Sequence, residues 1–173
     1  AQSPALVGYW QNWQDPQSPY IHLTQIDTTY NVIEVSFAVP SGGTTWNMTF
    51  TPDAVSQATL ISQIDSMKAK GKKVVISIGG ATAQVILNDV SQMNTFVSSM
   101  TAIINTYHFD GIDIDLENST TLTGGTIVNP TDAKIINLIN GIKQIMTNFR
   151  NTNHKKMFLS MAPETAYVQG GMS

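Results

Sequence analysis

Five short apolar runs, separated by loop-like or helix-patterned stretches, constrain the fold of this 173-residue chain more than any other feature. They are ALVGYW (5–10), NVIEVSFAV (31–39), KVVISIG (73–79), GIDIDLE (111–117) and KMFLSMA (156–162). β-Branched and aromatic residues dominate most of them, so each reads as a strand. Between the second and third, Thr51 can cap a helix with Pro52 at its first position. Ala54, Ala58, Ile61, Ile64 and Met67 then mark one face, and Gly71 ends the helix. A second helix is predicted from about Ser91 to Tyr107, with Phe96, Val97, Met100, Ile103 and Ile104 facing inward. A third opens at NPTDAK with Asn129 as cap and buries Ile135, Leu138, Ile142, Ile145 and Phe149. The first crossover, NWQDPQSPYIHLTQID, is weakly patterned and reads as mostly loop.

Strand-helix-strand repetition implies a parallel sheet with right-handed crossovers. Two α/β architectures satisfy it, a doubly wound sheet and a (β/α)8 TIM barrel. SIGGATAQ (77–84) has a glycine pair after a strand but lacks the G-x-G-x-x-G spacing, and no Walker motif occurs. Acidic residues pointing inward along the end of a strand suit the barrel, whose sites gather where its strands end. The expected fold is therefore the barrel.

Charge is scarce. Only 12% of residues are charged, against roughly 25% in average domains. With 42% apolar residues the chain can bury one sizeable core, and disorder is not expected. A formal charge of −3, with no like-charge run beyond KGKK (70–73), argues against a nucleic-acid partner or an anionic membrane surface and favours a neutral one. The chain has no cysteine, so disulfides are excluded. No apolar run reaches the ~18 residues of a membrane span. The opening AQSPALVGYW lacks a signal peptide's apolar stretch and reads as the mature end left by cleavage or as an arbitrary boundary.

Against that background HFDGIDIDLEN (108–118) stands out, with Asp110, Asp113, Asp115 and Glu117 in eight positions. Residues i, i+2 and i+4 of a strand share a face. Asp113, Asp115 and Glu117 therefore point one way, into a barrel's lumen, while Ile112, Ile114 and Leu116 point toward its helices. Proximity and burial should push at least one carboxyl pKa upward. An acid kept protonated near neutral pH is what glycosidic cleavage needs from its proton donor. Glu117, longest and furthest toward the mouth, is the natural donor. Two other readings stay open: a hard-cation site, and a structural network paired with lysine or arginine. His22, His108 and His154 share no metal-ligand spacing.

Asp110 with DGIDIDLE fits D-x-x-D-x-D-x-E, and the chain on this basis resembles glycoside hydrolase family 18. SIGG (77–80) matches the family's S-x-G-G motif on the third strand. GYWQNW (8–13) and MAPE (161–164) are similar to the first- and fifth-strand segments of its secreted bacterial chitinases. The resemblance extends from about residue 6 to 170 and implies an extracellular enzyme that hydrolyses chitin or chito-oligosaccharides without metal or cofactor. Substrate-assisted cleavage is an exception to the two-carboxylate scheme. It would use Glu117 as acid and base, Asp115 to orient the acetamido group, and Asp113 to share a proton with Asp115. Asp110, Gly79 and Gly80 would support the strand ends. Tyr9 and Met161 resemble floor residues of the sugar site, and Trp13 and Trp46 are candidate platforms. SFA (36–38) resembles a segment where the family often has a cis Ser36–Phe37 bond; Glu34 has no clear assignment beyond a paired group at the barrel bottom, where relatives often carry an amide.

The same signature serves endo-β-N-acetylglucosaminidases acting on N-glycan cores, and lectins of this fold usually replace the glutamate that Glu117 retains. NMT (47–49) and NST (118–120) are formal glycosylation sequons. A (β/α)8 barrel takes about 250 residues, and at least about 200. Residues 1–173 are therefore expected to be the N-terminal part of one catalytic barrel domain, its first five β/α units, with a complementary C-terminal part as partner.

Overall fold

The computed structural model describes residues 4–117, 124–126 and 128–163. The NST sequon, Glu164 of MAPE and the closing YVQGGMS lie outside the described residues. All five expected strands form: β1 (Val7–Gln11), β2 (Val32–Pro40), β4 (Lys73–Gly79), β5 (Gly111–Asp115) and β6 (Phe158–Met161). A two-residue strand, β3 (Met48–Thr49), pairs antiparallel with the end of β2. The other pairs are parallel, and the sheet runs β1-β2-β4-β5-β6. Each parallel strand joins the sheet beside the previous one and the order never reverses. That is barrel order, since a doubly wound sheet reverses part-way.

The described residues form three α-helices, α1 (Gln57–Ala69), α2 (Val90–Tyr107) and α3 (Ala133–Asn153). Alternation along the strands sends Ile33, Val35, Val74, Ile76, Ile78, Ile112 and Ile114 into one core with Leu60, Ile64, Phe96, Met100 and Ile145 of the helices. Full burial of such a side chain stabilises by about 1.5–3 kcal/mol. The inward-facing residues of α2 are buried as expected.

Two helix starts differ from expectation. α1 begins at Gln57, where the Ser56 hydroxyl accepts from the Thr59 amide at 3.2 Å. Thr51 does not cap it: its carbonyl accepts from Asn12 Nδ2 at 3.1 Å, tying that stretch to the end of β1. The buried face becomes Leu60, Gln63, Ile64 and Met67, and Ala54 and Ala58 are exposed. α3 is capped by Asp132, whose carboxylate accepts from the Lys134 amide at 3.1 Å. Asn129 instead closes a tight turn, exchanging backbone hydrogen bonds with Thr126 at 3.1 Å each way. A carboxylate at a helix N-terminus also meets the positive end of the helix dipole, which an amide does not exploit as fully. Ile142, Ile145 and Phe149 are buried in α3, with Ile135 and Leu138 half-buried. The first crossover is loop apart from one 3₁₀ turn at Leu23–Gln25, where Gln63 Oε1 accepts from the buried Leu23 amide at 2.8 Å.

β5 is shorter than the 111–117 run, ending at Asp115. The last β4–β5 pair is Gly79 with Asp115, and the Gly80 amide then donates to the Asp115 carbonyl at 2.7 Å. A Cβ on Gly79 would lie 2.2 Å from that carbonyl oxygen, and Gly79 has φ +106°. Glycine lets the two backbones approach and β4 turn away. Leu116 and Glu117 thus leave the ladder at the C-terminal mouth. The Ser36–Phe37 peptide is cis, as the resemblance implies, and the β2–β4 register shifts between Val35 and Ala38.

Candidate active site

The lumen side of the sheet carries Tyr9 on β1, Glu34 on β2, Ser77 on β4, Asp113 on β5 and Ser160 on β6, and Asp113 is their hub. Its Oδ2 accepts from the Tyr9 hydroxyl at 2.8 Å and from Ser77 Oγ at 2.7 Å. Its Oδ1 lies 2.9 Å from Ser160 Oγ, which is also 2.8 Å from Glu34 Oε1. Asp113 is 1% exposed, so this hydroxyl cage replaces the water it has lost. With both oxygens engaged by hydroxyls, Asp113 has little left to offer a cation. Among the described residues, no three His, Cys, Asp or Glu side chains are placed to hold a metal ion.

Tyr9 is held in its neutral, donating form: burial around its hydroxyl and the bond to Asp113 push its pKa far above the ordinary phenol value, with Asp115 and Glu34 adding to the push. A carboxyl pushed upward belongs to Glu34, outside the acidic row and two strands from it in the sheet. Burial is the main cause; Asp113 and Asp115 add to it and the Ser160 hydroxyl opposes it.

Asp115 shares Asp113's face one step nearer the mouth and is half-buried, and the half-buried Glu117 follows it. Asp115, Tyr9, Trp13 and Phe37 help line an open cleft of ≈ 540 Å³ that continues along β1. Phe37 lies 6.1 Å from Tyr9 and 6.3 Å from Trp13, ring centre to ring centre, giving the mouth an aromatic wall. Asp110 stands apart at the opposite end of β5. It is buried, 3.0 Å from Lys155 Nζ and 3.8 Å from Lys68 Nζ, and accepts from the Val74 amide at 3.3 Å.

Two other predicted residues are placed away from this cluster. Met161 pairs with Ile114, so alternation puts it on the helix side of β6, 59% exposed. Ser160, one residue earlier, is the β6 residue that points into the lumen. Trp46 packs against the hydrophobic core, not among the cleft-lining residues. Sequence reasoning did not select Ser77, Ser160 or Glu34 as site residues. Ser77 was visible only as a letter of SIGG, and Ser160 as the polar residue in an apolar run. Glu34 was the clearest signal, a charge inside an apolar strand.

A family model, Glycosyl hydrolases family 18, matches residues 5–172. The chain belongs to glycosyl hydrolase family 18. This family 18 chain is 42% identical over 169 residues to Chitinase Chi52 of Paenibacillus xylanexedens, covering 96% of the chain and 31% of that relative. It is 42% identical over 170 residues to Chitinase D of Niallia circulans, covering 96% of the chain and 32% of that protein. It also matches the crystal structure of a family GH18 chitinase from Chromobacterium violaceum with a TM-score of 0.81 at 40% identity, covering 96% of this chain and 42% of that one. The family 18 chain thus spans about a third of the length of these two curated relatives.

Proposed function

We propose that the protein hydrolyses the β-1,4 bonds of N-acetylglucosamine polymers, chitin and chito-oligosaccharides, with retention of configuration. The observation that carries this reading is the row itself: Asp113 caged by hydroxyls, then Asp115 at the aromatic-walled cleft, with Glu117 following it two residues on. The substrate's 2-acetamido oxygen attacks the anomeric carbon as Glu117 gives its proton to the departing glycosidic oxygen. Asp115 accepts from the acetamido N–H and offsets the positive charge of the oxazolinium ion. Glu117, now a carboxylate, takes a proton from the water that opens that ion. Tyr9, Trp13 and Phe37 supply flat apolar surface for the sugar faces. The relatives, chitinases by name, support chitin over other acetamido sugars. A polymer of this size is met outside the cell, which supports an extracellular protein. No helix among the described residues is long and apolar enough to cross a membrane.

The barrel that performs this chemistry is one domain to which residues 1–173 contribute the N-terminal part. The exposed apolar side chains Leu159 and Met161 on β6 and Ile136 and Ile139 on α3 support this, since further β/α units would cover them.

The test is fluorophore release from an aryl β-chitobioside by the complete protein and its Glu117→Gln form. Turnover should fall by about 10²–10⁴-fold, the usual worth of general acid–base catalysis, with oligosaccharide binding retained. Wild-type rates in Glu117→Gln would refute the assignment. Binding without turnover in the parent protein would make it a lectin, and release of N-glycans in its place would make it an endo-β-N-acetylglucosaminidase.

A further inference from the structure

Ser160 has one hydroxyl hydrogen and two carboxyl oxygens within 2.9 Å, Glu34 Oε1 and Asp113 Oδ1. One hydrogen cannot satisfy both. If both acids were ionised, one of these contacts would set lone pair against lone pair between buried groups, which the low-dielectric lumen penalises heavily. The arrangement needs one more proton on one of the two acids. Asp113 already receives the Tyr9 and Ser77 hydroxyls on Oδ2, so in this cage it is the acceptor. Glu34 is 4% exposed and has Ser160 and Asp113 as its hydrogen-bonding neighbours. The extra proton therefore sits on Glu34.

We infer that Glu34 is a positioning residue held as a neutral acid, which donates to Ser160 Oγ, commits the Ser160 hydroxyl to Asp113, and by its own ionisation adds to the loss of activity that deprotonation of the donor Glu117 brings on the alkaline side. In this state Asp113 is an anion with three hydroxyl donors, fixed in place beneath Asp115. When Glu34 loses its proton, two anions compete for the Ser160 hydrogen and a new negative charge faces the row. The groups that face Glu34 are Tyr9 from β1, Asp113 and Asp115 from β5 and Ser160 from β6, while β4 pairs the apolar Val75 beside it. Tyr9 stays neutral, so Glu34 is the hydrogen-bonded partner of this cage whose charge changes on the alkaline side. Burial and the neighbouring carboxylates delay that change beyond the ordinary glutamate range.

This inference rests on the reading of the row as a glycosidase centre for its effect on rate, though not for the location of the proton. Two measurements separate these claims. In the complete protein, Glu34→Gln keeps a donor in place of the acid but cannot ionise. Its kcat/KM should hold to higher pH, the alkaline fall moving up by about one pH unit or more, a size in keeping with loss of a neighbouring like charge. Glu34→Ala removes the donor and should lower kcat/KM at every pH, so rescue by Gln and not Ala marks a positioning role. Isotope-edited infrared spectra of ¹³C-glutamate-labelled parent protein should show a protonated carboxyl at neutral pH that Glu34→Gln lacks. A Glu34→Gln profile that superimposes on the parent, or that has lost turnover at all pH, overturns the role in the reaction. Absence of the protonated band overturns the inference entirely, and needs no variant that folds. A protonated band that Glu34→Gln lacks, in a protein without turnover, refutes the chitinase reading and leaves the location of the proton standing.

Discussion

Replacing Gly79 by alanine tests the junction that delivers Asp115 to the cleft. The new Cβ would meet the Asp115 carbonyl oxygen at 2.2 Å, and contacts under 3.0 Å force something to move. Here the neighbour is backbone, so β4 and β5 must part by roughly 1 Å to restore ordinary contact. Parting them breaks the 2.7 Å bond from the Gly80 amide to that carbonyl. A lost hydrogen bond that leaves its partner buried costs about 1–3 kcal/mol. Alanine at φ +106° adds about 1–3 kcal/mol of backbone strain. The sum is about 4 kcal/mol, a large fraction of the about 5–15 kcal/mol by which a typical domain is stable. Gly71 supplies the control: its φ is +79°, but a Cβ there would have no neighbour within 4 Å, so Gly71→Ala costs only about 1–2 kcal/mol. Urea denaturation of the parent and both variants, with midpoint and slope fitted separately, measures the difference. Equal destabilisation by the two substitutions would refute the close-approach argument. A folded Gly79→Ala protein with unchanged turnover would refute its link to Asp115.

Three further outcomes follow from the same geometry. Asp110→Ala should destabilise by about 2–4 kcal/mol, because it strips the Val74 amide and two lysines of a buried partner; thermal unfolding measures it, and a cost below about 0.5 kcal/mol would sink the idea. Tyr9→Phe should leave the tyrosinate absorbance that develops near pH ~10 unchanged, since Tyr9 does not ionise there; loss of one tyrosine's share would show its phenol to be free. Glu34 ties stability to pH with a definite sign. Its native carboxyl binds its proton more tightly than the unfolded chain does, so its contribution is full below ordinary glutamate values of about 4.3 and is lost as pH rises toward its higher native value. Glu34→Gln should remove that decline in denaturation curves taken across the window, and a decline that persists would assign it to another group.

Strand positions were legible because each run's β-branched residues alternate with inward-facing ones, and the acidic row was legible because period two is so plain in DIDLE. Helix starts were less so. Thr51-Pro52 satisfies the local rules for a cap, but Asn12, 39 residues away, engages the Thr51 carbonyl. Asn129 and Asp132 are both good caps on paper, and a reverse turn with Thr126 decides between them. The site was half visible. Sequence showed which side of β5 the acids share, but the identity of their partners depends on register across five strands. That register brings Ser77 and Ser160 level with Asp113. It also puts Ser160 and Met161, neighbours in one apolar run, on opposite faces of β6.

The unreversed strand order has a consequence for how the molecule is made. Leaving aside the two-residue β3, each of β2, β4, β5 and β6 finds its parallel partner in the strand synthesised just before it. A nascent chain leaving the ribosome can therefore extend one sheet from a single growing edge, each new β/α unit closing a short loop and never waiting for a distant segment. Throughout that growth β1 stays an uncovered border, with Val7 and Tyr9 exposed. At the leading border Leu159 and Met161 are in the same position. While such borders are unpaired, each is a template on which a second nascent chain can add a strand, which is a route to aggregation.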